Sequence, residues 1–320
     1  MYRFKEGKVI IKGKFHLGAT ITIPENTGDK MTAIVIVSGS GKSDRDGNHK
    51  AFKFYPDTYK RLAQFFSLLG FITIRYDKRG LGESEGDNIK TGVNELVDDV
   101  ISSAKYLKDL YYVDKIILCG HSEGAILSAI VNERYPVDGL ICLGAACTSL
   151  RAACEYQDTL LLNESKELKG LKGWFWRIKI NEKNYLKETN TIFEKAIKTD
   201  KDTIRVKGKK LPAKWIREHD EYTVDILDDL LKESGCPALV IVGDKDVQCD
   251  PQGIKKVNSF NKEHITAILI SNMDHILREY SGERKIIDLI KQYKAEMYKP
   301  LHPVLLEEIE NWLKGRFIKI

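Results

Sequence analysis

The sequence lacks long hydrophobic runs and any strong excess of charge. No stretch approaches 18 consecutive apolar residues, so we expect no membrane-spanning helix. The first fifteen residues contain neither an apolar segment nor a small-residue cleavage site, and we therefore expect no signal peptide. Lys and Arg number 51 against 46 Asp and Glu, and the net charge of +5 does not require a nucleic acid or an anionic membrane as partner.

Cysteine is also scarce, and its pattern excludes two common kinds of site. No two cysteines form a CxxC pair, and the spacing of His and Cys indicates no zinc site. Several of the cysteines lie in apolar runs, which is typical of buried thiols in a reducing compartment. We therefore expect a cytoplasmic protein. The six residues are Cys119, Cys142, Cys147, Cys154, Cys236 and Cys249.

Short apolar runs alternate with amphipathic stretches along most of the chain. Residues 8–23 are typical of a β-hairpin, with Gly18 near the turn. Further strands are predicted at 33–37, 71–75, 115–119, 139–143, 238–242 and 266–270, and helices at 57–69, 93–109, from about 124, and at 303–315. This alternation predicts an α/β fold with a mostly parallel sheet and helices on both faces.

One long segment interrupts the alternation. Residues 147–235 are rich in Lys and Glu and have a helical pattern, so we interpret them as an insertion between two core strands. Residues 1–146 and 236–320 would then form one core. The Lys-rich stretch 195–210 is expected to be a solvated loop or hinge, with a polyanion site as the alternative. The insertion also contains a group of aromatic residues, namely Trp174, Phe175, Trp176 and Trp215.

The main chemical signal is the sequence Gly-His-Ser-Glu-Gly at residues 120–124. It follows an apolar strand and precedes a helical run, which is the setting of a nucleophile elbow that exposes the oxygen of Ser122 above the sheet. We expect His121 to point away from the site. A plain strand-to-helix turn is the alternative interpretation of the motif.

A serine nucleophile needs a base and an acid that orients the base. In this architecture their order along the chain is Ser, then Asp or Glu, then His. Asp244 and Asp246 follow the strand at 238–242, and His275 follows the strand at 266–270, so both groups lie at the rim where open α/β sheets bind ligands. We predict His275 as the base and prefer Asp246 over Asp244 as the acid.

An oxyanion hole needs backbone N–H donors near the nucleophile. One donor is predicted from Glu123, the residue after the serine, and the other from the loop after the strand at 33–37. Small residues occupy that loop, Ser38 to Gly41, and Ser40 is the predicted donor. A phosphate-binding loop is the rival interpretation, but the spacing does not match G-x-x-x-x-G-K-[ST].

Five motifs in this order resemble the α/β-hydrolase superfamily. They lie at 38–47, 76–84, 120–124, 243–246 and 272–275, and the chain is similar to bacterial carboxylesterases and serine-aminopeptidase-like hydrolases. Ser38 departs from the histidine that many members have before the oxyanion glycine. The resemblance implies an α/β-hydrolase fold in which 147–235 forms a helical cap over the active site.

The resemblance and the residues together lead us to expect hydrolysis of small carboxylic esters with short to medium acyl chains. The reaction would pass through an acyl-enzyme and need no metal or organic cofactor. A serine aminopeptidase or a thioesterase is the alternative, and Glu123 is a candidate to hold the α-ammonium group of a peptide. A non-catalytic binding protein on the same fold is a further alternative. The sequence does not indicate the oligomeric state.

Three smaller groups have two interpretations each. Trp174 and Trp176 could line an acyl pocket or could pack within the cap. The turn Asp44-Arg45-Asp46 could brace the oxyanion loop through an ion pair or could be solvated. The segment around Asp77 and Arg79 is expected to hold a loop rather than contact substrate.

Overall fold

The computed structural model describes residues 3–25, 30–179 and 182–318, without the side chains of 172, 175, 177–179 and 182–187. Eight strands form one sheet in the order β1-β2-β4-β3-β5-β6-β9-β10. Strands β3 to β6, β9 and β10 pair in parallel, whereas β2 is antiparallel to both β1 and β4. The strands are β1 Phe4–Ile11, β2 Leu17–Pro24, β3 Met31–Val37, β4 Ile72–Tyr76, β5 Val113–His121, β6 Gly139–Leu143, β9 Ala238–Gly243 and β10 Ile265–Ile270.

Helices cover both faces of this sheet, because its central strands are continuous apolar runs that are buried on both sides. Helices α2, α3, α8 and α9 contribute to the core on one face, and α1 and α11 contribute on the other. The mostly parallel α/β fold is therefore confirmed. The helices flanking the sheet are α1 Thr58–Leu68, α2 Val93–Lys108, α3 Glu123–Arg134, α8 Val224–Lys232, α9 Gly253–Asn258, α10 Leu289–Glu296 and α11 Pro303–Arg316.

The hairpin at the start of the chain is present, but Gly18 does not form its turn. Residues 12–16 connect the two strands, and Gly18 lies within β2 opposite Ile10. A Cβ on Gly18 would lie 2.5 Å from the Cβ of Glu83 and 2.7 Å from Nη2 of Arg45. The glycine is therefore needed for close packing against a neighbouring loop.

Between β6 and β9 the described residues form five helices and the two-stranded hairpin of β7 and β8. The Lys-rich stretch 195–210 is mostly exposed, as expected of a solvated segment, but it contains the end of α6 and most of this hairpin. Leu227 and Leu231 of α8 belong to the main hydrophobic core, so the end of the predicted insertion packs with the core. The remaining elements are α4 Leu150–Glu167, α5 Gly170–Lys179, α6 Glu182–Ile197, β7 Ile204–Val206, β8 Lys209–Leu211 and α7 Ala213–Asp220.

The sequence patterns did not lead us to expect α9 or α10. Helix α10 carried a usable signal, because Leu289, Ile290, Tyr293 and Met297 recur at helical spacing. Of the helices that the structure describes, none is both long enough and apolar enough to cross a membrane.

Candidate active site

Ser122 lies in the tight turn between β5 and α3 with a strained backbone. Its φ is +56° and its ψ is −120°, in a region that side-chain-bearing residues rarely adopt. Neighbouring glycines permit the close approach of strand and helix. A Cβ on Gly120 would lie 2.1 Å from the carbonyl oxygen of Gly124, and a Cβ on Gly124 would lie 2.1 Å from that of Val37. The side chain of Ser122 is left half-buried at the sheet edge, lining a cleft.

His275 lines the same cleft and is paired with Asp246. The Nδ1 atom of His275 lies 2.7 Å from Oδ2 of Asp246, and both side chains are buried. The other carboxylate oxygen of Asp246 accepts backbone N–H bonds from Gln248 at 2.8 Å and Cys249 at 3.0 Å. Asp246 is thus held in place while one oxygen faces the imidazole.

Asp244 has a different environment. Its side chain is exposed, and its Oδ1 accepts the backbone N–H of Asn272 at 2.6 Å. This bond joins the loop after β9 to the loop after β10. Asp244 therefore shapes the turn beside the site, and Asp246 is the carboxylate that contacts His275.

The pKa of His275 reflects two opposing effects. Burial lowers it, but the adjacent carboxylate of Asp246 stabilises the imidazolium, and the net result is a pKa above the ordinary value for histidine. The pairing thus supports the charge that a general base acquires when it removes a proton from serine.

His121 does not point away from the site, contrary to our expectation. Its Nε2 lies 2.8 Å from the carbonyl oxygen of His275, and its Nδ1 lies 3.1 Å from the hydroxyl of Tyr59. Burial, together with the nearby His275, lowers the pKa of His121 to about 3, so the ring is neutral. A carbonyl can only accept, so Nε2 carries the proton and Nδ1 accepts from Tyr59. Motif position alone did not reveal this role.

The oxyanion loop is held at Gly39 by two buried side chains. The N–H of Gly39 donates to the hydroxyl of Tyr59 at 2.8 Å, and its carbonyl accepts from Nζ of Lys78 at 2.6 Å. A Cβ on Gly39 would lie 3.2 Å from the Cβ of Ser122, so this backbone runs directly beside Ser122. Ser40 follows, and it lines the cleft.

The side chain of Glu123 is buried among groups from two parts of the chain. Its carboxylate accepts from Nε1 of Trp215 at 2.6 Å, lies 2.9 Å from Nε2 of His219, and lies 3.6 Å from Nζ of Lys78. Burial alone would raise the pKa of Glu123, but Lys78 and the two hydrogen bonds lower it to about 2. Helix α7, which contains Trp215 and His219, thus reaches the residue after the nucleophile.

The cleft around Ser122 has a cavity volume of about 240 Å³. Beyond the residues already described, its walls come mainly from the segment 47–58 and from α10. The rings of Phe54 and Tyr293 stack with their centroids 6.3 Å apart. The apolar side chains in these walls are Phe52, Phe54, Pro56, Ile276, Leu289, Ile290 and Tyr293.

Neither Trp174 nor Trp176 is among the residues that line this cleft, so the structure does not support them as its wall. Trp174 is 61% exposed, and Trp176 is half-buried. The side chain of Phe175 lies outside the described residues. Segments outside 147–235, namely 47–58 and α10, supply most of this lining instead.

Buried ion pairs hold the loops around the site. Arg45 donates to Asp77 through Nη2 at 2.6 Å and through its backbone N–H at 2.8 Å. The same guanidinium bonds Glu83 at 2.5 Å. Arg79 pairs with Asp99 of α2 at 2.7 Å. Arg45 thus forms a buried ion pair rather than being solvated, and Asp77 and Arg79 hold loops as expected.

A strained serine between a strand and a helix, on a mostly parallel sheet, together with a carboxylate-paired histidine, defines an α/β hydrolase with a serine-hydrolase site. Among the residues described, no group of three or more His, Cys, Asp or Glu side chains could hold a metal ion. The chain belongs to the family described as serine aminopeptidase, S33, whose model matches residues 54–279. The resemblance drawn from the motifs is thus confirmed.

Individual relatives agree with this assignment. The chain is 26% identical to the esterase EstD of Thermotoga maritima over 319 residues, covering 97% of this chain and 68% of EstD. Est1E of Butyrivibrio proteoclasticus, solved with ferulic acid, superposes with a TM-score of 0.58 at 17% identity, covering 94% of this chain and 99% of Est1E. The Pf2001 esterase of Pyrococcus furiosus superposes with a TM-score of 0.56 at 12% identity, covering 99% and 92%. Both structures share the fold.

Proposed function

We propose that this protein hydrolyses carboxylic esters of short to medium acyl chain through an acyl-enzyme. The observation that carries the proposal is the 2.7 Å contact between Asp246 and His275 in the cleft that Ser122 lines. EstD, an esterase that is similar over nearly the whole of this chain, supports the same reaction.

The proposed reaction has two halves. Ser122 Oγ attacks the ester carbonyl while His275 takes the serine proton, and the carbonyl electrons move to an oxygen that the N–H groups of Ser40 and Glu123 stabilise. Collapse breaks the bond to the alcohol, which leaves with the proton from His275. Water then attacks the acyl-enzyme by the same route. Asp246 orients His275, and the chemistry requires no metal or organic cofactor.

The lining of the cleft favours an ester over a peptide with a free amino terminus. An aminopeptidase needs a carboxylate to hold the α-ammonium group, and none of the described residues lining the cleft around Ser122 is Asp or Glu. Glu123, the candidate from the sequence, is already bonded to Trp215 and His219. The apolar walls instead suit an acyl chain. Thioester hydrolysis, which uses the same groups, is kept as a competing activity for the assay.

We also propose that the insertion acts as a cap that contacts the site through α4 and α7. The hydroxyl of Tyr156 in α4 donates to the backbone carbonyl of Asp246 at 3.3 Å. The bonds from Trp215 and His219 to Glu123 support this role. Because α8 packs in the main core, the part that can serve as a cap ends before it. The six free cysteines favour a cytoplasmic location, where thiols stay reduced.

The experiment that tests the proposed function compares the parent protein with Ser122→Ala on aryl esters, thioesters and aminoacyl anilides. We expect the parent to prefer esters. In Ser122→Ala we expect kcat to fall on the order of a millionfold, because the nucleophile is removed. A fluorophosphonate probe should label the parent and leave the variant unlabelled. Preference for aminoacyl anilides, or more than a few per cent activity in Ser122→Ala, would contradict the proposal.

A further inference from the structure

Lys78 is a buried cation beside the nucleophile that the proposed reaction does not use. It lies in the motif at 76–84 and is 4% exposed. Its Nζ makes two contacts, a hydrogen bond of 2.6 Å to the carbonyl oxygen of Gly39 and an ion pair of 3.6 Å with Glu123. Burial lowers the pKa of Lys78, and the Glu123 carboxylate opposes that effect. A structural role limited to charge balance would not require the bond to Gly39.

The carbonyl that Lys78 binds belongs to the same peptide unit as the N–H of Ser40. The structure contains no cis peptide bonds among the described residues, and in a planar trans peptide the C=O and N–H point in opposite directions. Anchoring the carbonyl of Gly39 on one side therefore directs the N–H of Ser40 to the other side. The N–H of Gly39 already donates to the hydroxyl of Tyr59, which leaves the predicted donor Ser40 as the N–H of this peptide that can face the oxyanion.

The partner of Lys78 belongs to the second predicted donor. Glu123 supplies a backbone N–H at the start of α3, while its side chain is fixed by Trp215 and His219. One ion pair thus connects the two segments whose N–H groups must converge on the same oxygen. A charge-assisted bond also polarises the Gly39–Ser40 peptide, which strengthens its N–H as a donor.

From this arrangement we infer that Lys78 is a positioning residue of the oxyanion hole, which aims the Ser40 N–H at the developing oxyanion and ties it to Glu123. This inference rests on the proposed ester hydrolysis. Removing an oxyanion donor outright costs about 100- to 1000-fold in kcat. Loss of Lys78 leaves the Ser40 N–H in place but no longer aimed at the oxyanion. We therefore expect kcat/KM to fall by about 10- to 100-fold, which is less than the loss caused by removing a donor.

The test replaces Lys78 by Met and uses Lys42→Met as a matched control. Lys42 lies after the loop of Ser38 to Gly41 and, like Lys78, lines a cavity of about 330 Å³, but it is exposed. The probe is a trifluoromethyl ketone with the acyl chain of the best ester. Ser122 adds to its carbonyl carbon, and the carbonyl electrons form an oxyanion in the hole. The corresponding alcohol cannot form that oxyanion and reports ordinary binding.

We expect Lys78→Met to lose ketone affinity and kcat/KM by similar factors, with alcohol affinity changed by less than about threefold and Lys42→Met resembling the parent. Parent-like activity in Lys78→Met would overturn the inference, and so would a loss of activity with unchanged ketone affinity. Lys78→Gln, a neutral donor, gives the same comparison if the Met variant does not fold.

The rate of fluorophosphonate labelling at Ser122 separates this inference from the proposed function. The phosphoryl oxygen of the probe uses the same hole, so the labelling rate should fall in Lys78→Met even if no ester in the panel is a substrate. An unchanged labelling rate would count against Lys78 alone. If the parent protein hydrolysed none of the esters, that result would count against the proposed function alone.

Discussion

His275 governs how the proposed reaction should depend on pH. The base must be neutral to accept a proton, and the carboxylate of Asp246 outweighs burial and raises the pKa of His275. A raised pKa keeps the imidazole protonated to higher pH, so activity is lost as pH falls through a value above the ordinary one of about 6.5. We expect the acid limb of kcat/KM to have its midpoint above that value. A midpoint clearly below the ordinary value would show that burial changes the pKa of His275 more than the Asp246 carboxylate does.

The two aspartates after β9 should respond very differently to substitution. Asp246 contacts Nδ1 of His275, so Asp246→Asn would favour the wrong tautomer, and we expect kcat to fall by about 10⁴-fold. Asp244→Asn is the matched control, because that side chain is exposed and bonds the backbone of Asn272 rather than His275, and we expect at most about a tenfold loss. Steady-state kinetics on an aryl ester checks both. The reverse ranking would assign the acid role to Asp244.

His121, which is neutral, also helps to hold His275 in place through a hydrogen bond to its backbone carbonyl. Hydrogen bonds run in one direction from the N–H of Gly39 to Tyr59, from Tyr59 to His121, and from His121 to the carbonyl of His275. All four residues in this series of hydrogen bonds are buried, so each bond is shielded from competing water. These hydrogen bonds connect the predicted oxyanion loop to the loop that contains His275.

At the scale of elements, the site depends on the ion pair between two loops. Asp77 accepts from the guanidinium and the backbone of Arg45, and both residues are buried. Asp77→Asn would leave a buried guanidinium with only half-exposed Glu83 as charged partner. We expect the free energy of unfolding to fall by about 3–5 kcal/mol, measured by urea denaturation at neutral pH.

Glu83→Gln serves as the control for this change. Its carboxylate bonds the same guanidinium but is 49% exposed, and solvent weakens ion pairs at such positions. We therefore expect a small effect on the free energy of unfolding. Equal losses of unfolding free energy in the two variants would mean that the burial of Asp77 does not determine how strongly its ion pair with Arg45 stabilises the protein.

At the scale of the whole molecule, the cleft is assembled from distant parts of the chain. The segment 47–58 follows β3, whereas α10 follows β10, and both line the cleft around Ser122. Buried Arg278 joins these regions by donating to the carbonyl of Pro56 at 2.7 Å. The wall of the cleft therefore comes mainly from segments outside 147–235. The insertion contacts Glu123 through α7 and the carbonyl of Asp246 through α4.

This arrangement predicts where acyl-chain specificity is determined. Phe54→Ala would remove a ring that stacks on Tyr293 and lines the cleft. Each further methylene of the acyl chain that fits into the enlarged cleft contributes about 0.8 kcal/mol to the binding free energy. We therefore expect the preferred p-nitrophenyl ester to have a longer acyl chain.

Trp174→Ala is the matched control for the chain-length series. Its side chain is 61% exposed and lies outside the described lining, so we expect the parent profile to be kept. A shift in Trp174→Ala together with an unchanged profile in Phe54→Ala would restore the insertion as the wall.

Much of this protein could be predicted from the sequence because the informative signals are local. A run such as residues 33–37 is long enough for one buried strand, and β3 includes all of it. Glycines on both sides of Ser122 indicated the elbow, since a Cβ at either position would overlap backbone. Loops that follow parallel strands meet at one edge, which is why Asp246 and His275 could be paired without coordinates.

Tertiary structure alone decided which side chains support and enclose the site. The contacts of Glu123 with Trp215 and His219, of Lys78 with Gly39, and of Phe54 with Tyr293 join residues far apart in the chain. No local pattern encodes such partners, because each depends on how helices and loops pack around the finished sheet. The sequence by itself determined the strands, the elbow and the order of the chemical groups, since these follow from backbone geometry and residue spacing. Packing determined the neutral state of His121 and placed the cleft wall on 47–58 and α10, because both depend on which surfaces exclude water together.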